Sequence, residues 1–204
     1  MTSTARPEAV QAFLDAVKRG FESSSPETRT SACLQRVFER LRQPVAADSA
    51  AAERVPTADF MDEALRPALA ADGPTREVAE RLRMLDPSLP WRMRGGKNLA
   101  PGETGPGTIA NAMVVGPGGL EDRRDVWVGL SLVPPAVRYP EHRHSPEEIY
   151  LFLTDGQFLH GNSGWFTPGV GGSLYNEPDI LHSMEAPPQA PLLAIWCLYD
   201  PRHA

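Results

Sequence analysis

The sequence predicts a mainly β protein, a small antiparallel barrel or jelly roll preceded by an N-terminal helical region. Up to about residue 90, apolar residues recur at helical spacing. Beyond it, prolines and glycines separate short apolar runs, and many short strands at regular spacing are typical of sandwiches and barrels. We therefore expect residues 1–90 to form a helical region that packs on a β-barrel of residues 91–204.

Four helices are expected in the N-terminal region, each marked by an apolar stripe. The first covers residues 7 to about 22, with Pro7 in its first turn. The other three stripes cover residues 33–41, 60–69 and 78–85, and each ends at a proline or a Gly-Pro pair. The alanine-rich stretch 46–54 is compatible with either a helix or a loop.

The second half contains eight candidate strands. Val126–Val133 alternates in side-chain character, and Asp155-Gly156 between two apolar runs predicts a hairpin of residues 148–153 with Gln157–His160. The Gly- and Pro-rich stretch 92–106 is expected to be a loop that gates entry. The remaining strand candidates are residues 109–115, 165–166, 172–175, 180–186 and 191–199.

The composition argues against several classes of protein. The chain has 204 residues, of which 41% are hydrophobic, and this is enough for one domain with a real core. A net charge of −6 without a Lys/Arg cluster speaks against nucleic-acid binding. Neither a signal peptide nor an apolar run of roughly 20 residues is present, so we expect a cytoplasmic protein without a membrane partner. Cys33 and Cys197 form no CxxC pair and are expected to be buried thiols.

Four residues in the second half suggest a metal site. Residues two apart on a strand face the same side, so His142 and His144 can point into one cavity. Glu148 adds a carboxylate after a short bend, and His182 can complete the set from a neighbouring strand. Glu147 lies one position off this face and is expected to be solvated. Such ligands suit one divalent transition metal (Zn, Fe, Mn, Co or Ni) with positions open for a substrate.

The run His-Arg-His-Ser-Pro-Glu-Glu from His142 to Glu148 resembles the first motif of the cupin superfamily, in which His-x-His precedes a glutamate and then a glycine. Here the interval from Glu148 to Gly156 is one residue longer than usual. His182 matches the histidine of the second motif, although Ala186 stands where asparagine is usual. The resemblance covers about residues 105–200 and implies a cupin barrel.

Two tyrosines make the resemblance more specific, to one family within the superfamily. Tyr139 lies five residues before His144, and Tyr150 lies two residues after Glu148. With the helical N-terminal half, this pattern is similar to the cupin-type dimethylsulfoniopropionate (DMSP) lyases of the DddQ type, which cleave DMSP to dimethyl sulfide and acrylate by β-elimination. The resemblance implies a metal held by His144, Glu148 and His182, with Tyr150 as ligand or base, Tyr139 nearby, and His142 as the other motif histidine.

These residue types suit the reaction. A metal at the substrate carboxylate stabilises the charge that develops when the α-proton is removed. An unperturbed tyrosine has a pKa of roughly 10, and a nearby cation favours tyrosinate, which is a strong base. Aromatic faces attract the cationic sulfonium group. The aromatic candidates in the β half are Trp127, Trp165, Phe152, Phe158, Tyr175 and Trp196.

Other functions are compatible with the same ligands. An iron-dependent cupin dioxygenase would use them with O₂, and a non-catalytic cupin would use them to bind an osmolyte or sugar. A sugar-phosphate isomerase would want a basic residue in the pocket, and the sequence has no lysine after Lys97. We therefore expect a carbon-sulfur lyase that acts on DMSP or a similar osmolyte as a monomer or homodimer.

Overall fold

The structure, a computed structural model, describes residues 5–24, 26–45, 50–94 and 108–203. Four α-helices confirm the four helices that the apolar stripes predict. Within the described residues, no helix is long and apolar enough to cross a bilayer. Of the stretch 46–54, residues 46–49 lie outside the described residues, and Glu53 forms a β-bridge with Pro90. The helices are α1 (Glu8–Ser23), α2 (Thr28–Leu41), α3 (Met61–Ala70) and α4 (Pro74–Leu85), and a 3-10 turn at Pro56–Phe60 precedes α3.

Ten strands include all eight that the sequence predicts, each within two residues at either end. The two additional strands are β1, which is very short, and β4, which contains Pro140. The predicted gating loop 92–106 begins inside β1, and its residues 95–106 lie outside the described residues. The strands are β1 (Trp91–Met93), β2 (Ala110–Val115), β3 (Val126–Val133), β4 (Arg138–His142), β5 (Glu147–Phe152), β6 (Gln157–His160), β7 (Trp165–Phe166), β8 (Ser173–Asn176), β9 (His182–Glu185) and β10 (Leu192–Tyr199).

The strands form two antiparallel sheets. A six-stranded sheet has the order β1-β2-β3-β10-β5-β8, and a four-stranded sheet has the order β4-β9-β6-β7. From β3 onward the chain changes sheet at every connection except the one between β6 and β7. The predicted hairpin at Asp155-Gly156 is therefore wrong: β5 pairs with β8 and β10, whereas β6 pairs with β7 and β9 in the other sheet. Residues from both sheets pack into one shared core, so the architecture is the predicted cupin jelly roll behind a helical region.

The six-stranded sheet is buried on both faces. One face packs against the helices, and the other packs against the four-stranded sheet. Leu130 of β3 and Ile195 of β10 pack with the helices in one core, while Val133 and Tyr150 pack between the sheets in another. Cys33 and Cys197 are buried free thiols on the helical side, as expected. Because side chains alternate along a strand, β3, β5, β8 and β10 supply residues to both cores.

A buried ion network ties the end of α2 to the barrel. Arg6 bonds Glu121 at 2.5 Å and the carbonyl of Leu41 at 2.9 Å. Arg123 bonds Glu121 at 3.1 Å and the carbonyl of Arg40 at 3.3 Å. The side chains of Arg6, Glu121 and Arg123 are 2%, 3% and 7% exposed. The last carbonyls of a helix have no partner within it, so the two arginines satisfy them from outside.

The substitution Glu121→Gln tests this network. It leaves buried guanidinium groups short of negative charge, so we expect the free energy of unfolding in urea to fall by about 3 kcal/mol. The control Glu22→Gln breaks the exposed Lys18–Glu22 pair of α1 and should change it by less than about 0.5 kcal/mol. Equal losses in the two variants would contradict a stabilising role for the network.

Candidate metal centre

Four side chains from three strands and one turn meet at one end of the barrel interior. His142 ends β4, Glu148 belongs to β5 and His182 begins β9. One ring nitrogen each of His142, His144 and His182 lies within 4.8 Å of the others. Glu148 Oε2 lies 3.2 Å from His144 Nε2 and 3.3 Å from His182 Nε2. The structure thus brings together the four residues that the sequence singles out.

The position of His144 differs from the expectation. The His-x-His spacing was interpreted as two residues on one strand, but β4 ends at His142. His144 lies in the turn that follows, where its carbonyl accepts a hydrogen bond from the Asp179 backbone N–H at 2.8 Å. His144 therefore reaches the cluster because the chain turns toward β5, and strand alternation does not explain its direction.

All three imidazoles are held in the same way. The Nδ1 atoms of His142, His144 and His182 each lie 3.0 Å from a backbone carbonyl two residues away, those of Pro140, Pro146 and Ile180. A carbonyl only accepts, so in the neutral ring Nδ1 carries the proton and Nε2 keeps its lone pair. This outer hydrogen bond is typical of metal-binding histidines.

The nitrogen and oxygen atoms that face the centre of the cluster are suitable ligands for a cation. His182 Nε2 is buried and has no aligned hydrogen-bond partner in the described part of the chain, although Glu148 Oε2 is only 3.3 Å away. Nitrogen lone pairs that face one another and a carboxylate repel unless a proton or a cation lies between them. Three imidazole nitrogens and one carboxylate oxygen are a donor set that zinc, iron, manganese, cobalt and nickel accept.

The protonation states of Glu148 and His142 at neutral pH also suit metal binding. Burial disfavours the charged form of Glu148, but the neighbouring imidazoles of His144 and His182 outweigh it and hold the pKa of Glu148 well below its usual range. Burial and the neighbouring His182 lower the pKa of His142 to about 4. For His144, the bond to Glu148 and its charge outweigh burial and raise the pKa. Glu148 is therefore ionised and His142 neutral, the forms that ligate.

Asn176 is a site residue that the sequence analysis missed. It lies opposite Glu148 in the pairing of β5 with β8, is fully buried, and donates from Nδ2 to Glu148 Oε2 at 3.0 Å. Outer hydrogen bonds of this kind orient a ligating carboxylate. No motif marks Asn176, because its relation to Glu148 depends on the register of two strands.

Both predicted tyrosines lie in the interior. The ring centroid of Tyr150 is 6.2 Å from that of His182, and the ring centroid of Tyr139 is 4.8 Å from that of His142. Burial and the charge of Glu148 raise the pKa of Tyr150 well above its usual 10. A tyrosinate at Tyr150 therefore requires a positive charge close enough to offset these two effects.

Only some of the six aromatic candidates lie in the barrel interior. Phe152, Phe158 and Trp196 lie in the interior core with Tyr150, and the Tyr150–Phe158 centroid distance is 5.3 Å. Three other candidates lie elsewhere: Tyr175 packs on the helical side, Trp165 lies under Arg138, and Trp127 bonds the carbonyl of Arg124. Half of the predicted aromatic set can therefore line the site.

The expectation for Glu147 was wrong. Its side chain is buried, accepts two 2.7 Å hydrogen bonds from Arg36 of α2 and accepts a third from the Tyr175 hydroxyl at 3.0 Å. Its side chain does lie on the face of β5 opposite that of Glu148, as the alternation of side chains along a strand requires. That face meets α2 rather than solvent, so Glu147 joins the helical layer to the strand that carries Glu148.

Comparison with known proteins identifies relatives. The family model for dimethylsulfoniopropionate lyase matches residues 29–194. The crystal structure of the DMSP lyase DddQ from Ruegeria pomeroyi DSS-3 matches with a TM-score of 0.67 at 18% identity, covering 95% of this chain and 94% of that one. A structure described for the DMSP lyases RdDddP and RnDddQII matches with a TM-score of 0.65 at 18% identity, covering 95% and 93%. No curated protein matches the sequence.

The lowered pKa of His142 predicts a pH dependence of stability in the metal-free protein. An unfolded histidine takes up a proton near pH 6.5, whereas folded His142 does so near pH 4. Protonation therefore favours the unfolded state as the pH falls from 6.5 to 4, by on the order of 2–3 kcal/mol. Urea unfolding of metal-free wild type should show this loss, and His142→Gln should show a shallower slope over the same range.

The matched control is His203→Gln in the exposed C-terminal turn, which should retain the wild-type slope. If His142→Gln and the wild type lost stability in parallel between pH 6.5 and 4, His142 would not be the group responsible.

Proposed function

This chain belongs to the dimethylsulfoniopropionate lyase family, and we propose that it cleaves DMSP to dimethyl sulfide and acrylate in the barrel interior. The observation that carries the proposal is the convergence of His142, His144, Glu148 and His182 beside the buried phenol of Tyr150. An α-proton next to a carboxylate is weakly acidic, so its removal requires both a strong base and stabilisation of the developing charge.

The four converging residues would hold one divalent transition metal, with Tyr150 as a further ligand or as the base. When bound, such a cation stabilises negative charge on the substrate carboxylate and favours the tyrosinate form of a neighbouring phenol. Asn176 supports this arrangement by fixing one carboxylate oxygen of Glu148 from the neighbouring strand. The donor set is compatible with zinc, iron, manganese, cobalt or nickel.

Tyr150 is the base in this proposal. Its phenolate oxygen takes the α-proton, and the electron pair of that C–H bond becomes the double bond of acrylate. The bond between the β-carbon and sulfur breaks at the same time, and the sulfur leaves with its electron pair as neutral dimethyl sulfide. Tyr139 is the second phenol of the interior and lies on the facing sheet, beside His142.

The aromatic interior suits the sulfonium group. Phe152, Phe158 and Trp196 line the space around Tyr150. Ring faces attract a cation without supplying a negative charge that would compete for the metal. A desolvated cation is also a better leaving group, because its departure as a neutral molecule removes charge from an apolar surrounding.

Direct assay tests the proposal. Purified protein loaded with Zn, Fe, Mn, Co or Ni should convert DMSP to dimethyl sulfide and acrylate in equal amounts, measured by headspace gas chromatography and liquid chromatography. The reaction should proceed without O₂, because no atom is oxidised overall. A strict O₂ requirement would favour a cupin dioxygenase, and saturable binding without turnover by any metal form would favour a binding module.

The substitution Tyr150→Phe tests the base. Removal of the hydroxyl should lower kcat by at least about 100-fold, with metal content by elemental analysis measured alongside to separate loss of the base from loss of the metal. The control Tyr199→Phe removes a hydroxyl from a ring that lies under Arg36 on the helical side, and should keep full activity. Near wild-type turnover by metal-loaded Tyr150→Phe would exclude this residue as the base.

A further inference from the structure

A chain of hydrogen bonds crosses the barrel interior beside the proposed site. Trp196 Nε1 donates to Ser131 Oγ at 3.0 Å, and Ser131 Oγ donates to Asn111 Oδ1 at 2.9 Å. Asn111 Nδ2 then donates to the Tyr139 hydroxyl oxygen at 3.4 Å. Asn111 and Ser131 are direct partners in the pairing of β2 with β3, whereas Tyr139 belongs to the other sheet. The chain therefore links the two sheets through polar side chains.

A glycine makes the first link possible. Trp196 of β10 lies opposite Gly129 of β3, and a Cβ on Gly129 would come within 2.3 Å of the indole ring. Because glycine has no side chain, the indole can lie along the β3 backbone and reach Ser131, two residues further on. Any other residue at position 129 would displace the ring and break this bond.

The indole determines the direction of every bond in the chain. An indole N–H can only donate, so the Ser131 hydroxyl accepts from Trp196 and turns its own proton toward Asn111. Asn111 must then present its carbonyl oxygen to Ser131 and its NH₂ group to Tyr139. The Tyr139 oxygen is consequently an acceptor in this contact, and its own O–H proton points away from Asn111.

We infer that Asn111, set by Ser131 and Trp196, is a positioning residue that keeps the Tyr139 O–H proton available to the substrate. The Tyr139 ring lies beside His142, so a proton turned away from Asn111 can reach an anionic oxygen bound in the interior. The guanidinium of Arg94 lies 4.6 Å from the same ring centre and adds positive charge there. The inference rests on the proposed function, since it assigns the substrate carboxylate as the acceptor.

The substitution Asn111→Asp reverses the last bond of the chain. A carboxylate only accepts, so one oxygen would accept a hydrogen bond from the Ser131 hydroxyl and the other would accept one from the Tyr139 hydroxyl. Tyr139 then loses its bond to the substrate, and KM for DMSP should rise about tenfold while kcat changes less. Asn162→Asp makes the same chemical change at an exposed position and should leave KM unchanged.

A double-mutant cycle separates this role from a general effect of added charge. Tyr139→Phe alone should raise KM about as much as Asn111→Asp does. In the Tyr139→Phe background, Asn111→Asp should change KM by less than about twofold, because the bond that it redirects is already absent. A further tenfold rise in that background would overturn the inference, since the effect would not pass through Tyr139.

A spectroscopic measurement on the substrate-free protein tests the inference separately from the proposed function. The intensity ratio of the tyrosine Raman doublet depends on whether a phenol donates or accepts a hydrogen bond. The difference spectrum against Tyr139→Phe should show Tyr139 as an acceptor in the wild type and as a donor in Asn111→Asp. An unchanged ratio would overturn the inference, whereas failure of the wild type to release dimethyl sulfide would defeat only the proposed function.

Discussion

The ionised carboxylate of Glu148, buried inside the barrel, is the constraint on which the site depends. A buried charge is costly unless neighbouring groups compensate it, and three surround this one: Asn176 donates to it, and the Nε2 atoms of His144 and His182 approach the same oxygen. Each imidazole is fixed from behind by a backbone carbonyl, so the rings cannot turn away. The arrangement is therefore a preformed set of donor atoms that is compatible with a divalent cation.

The two adjacent glutamates of β5 show how one strand serves both stability and chemistry. Glu148 faces the interior, while Glu147 faces α2, where Arg36 and Tyr175 hold it. The helical region thus does more than cover the outer face of the six-stranded sheet. By anchoring Glu147, it fixes the strand that positions Glu148 and Tyr150 against the histidines of the other sheet.

The two sheets contribute different parts of the proposed reaction. The four-stranded sheet and the turn beside it supply the histidines and Tyr139, and the six-stranded sheet supplies Glu148, Tyr150 and Trp196. The polar chain from Trp196 to Tyr139 crosses between them, so the relative placement of the sheets and the direction of the Tyr139 proton are coupled. A shift of one sheet would alter the ligand set and the polar chain together.

The sequence alone determined the features that depend on neighbours along the chain. These are the four helices, the eight predicted strands, and the grouping of histidines with Glu148 and the two tyrosines. Only the tertiary structure decided what depends on strand register and sheet order. Asn111, Ser131 and Asn176 are single polar residues without a motif, and their partners lie 28 or more positions away or across a pair of strands. Side-chain alternation predicts which residues share a face, but only the packed layers decide whether that face meets solvent, a helix or a ligand.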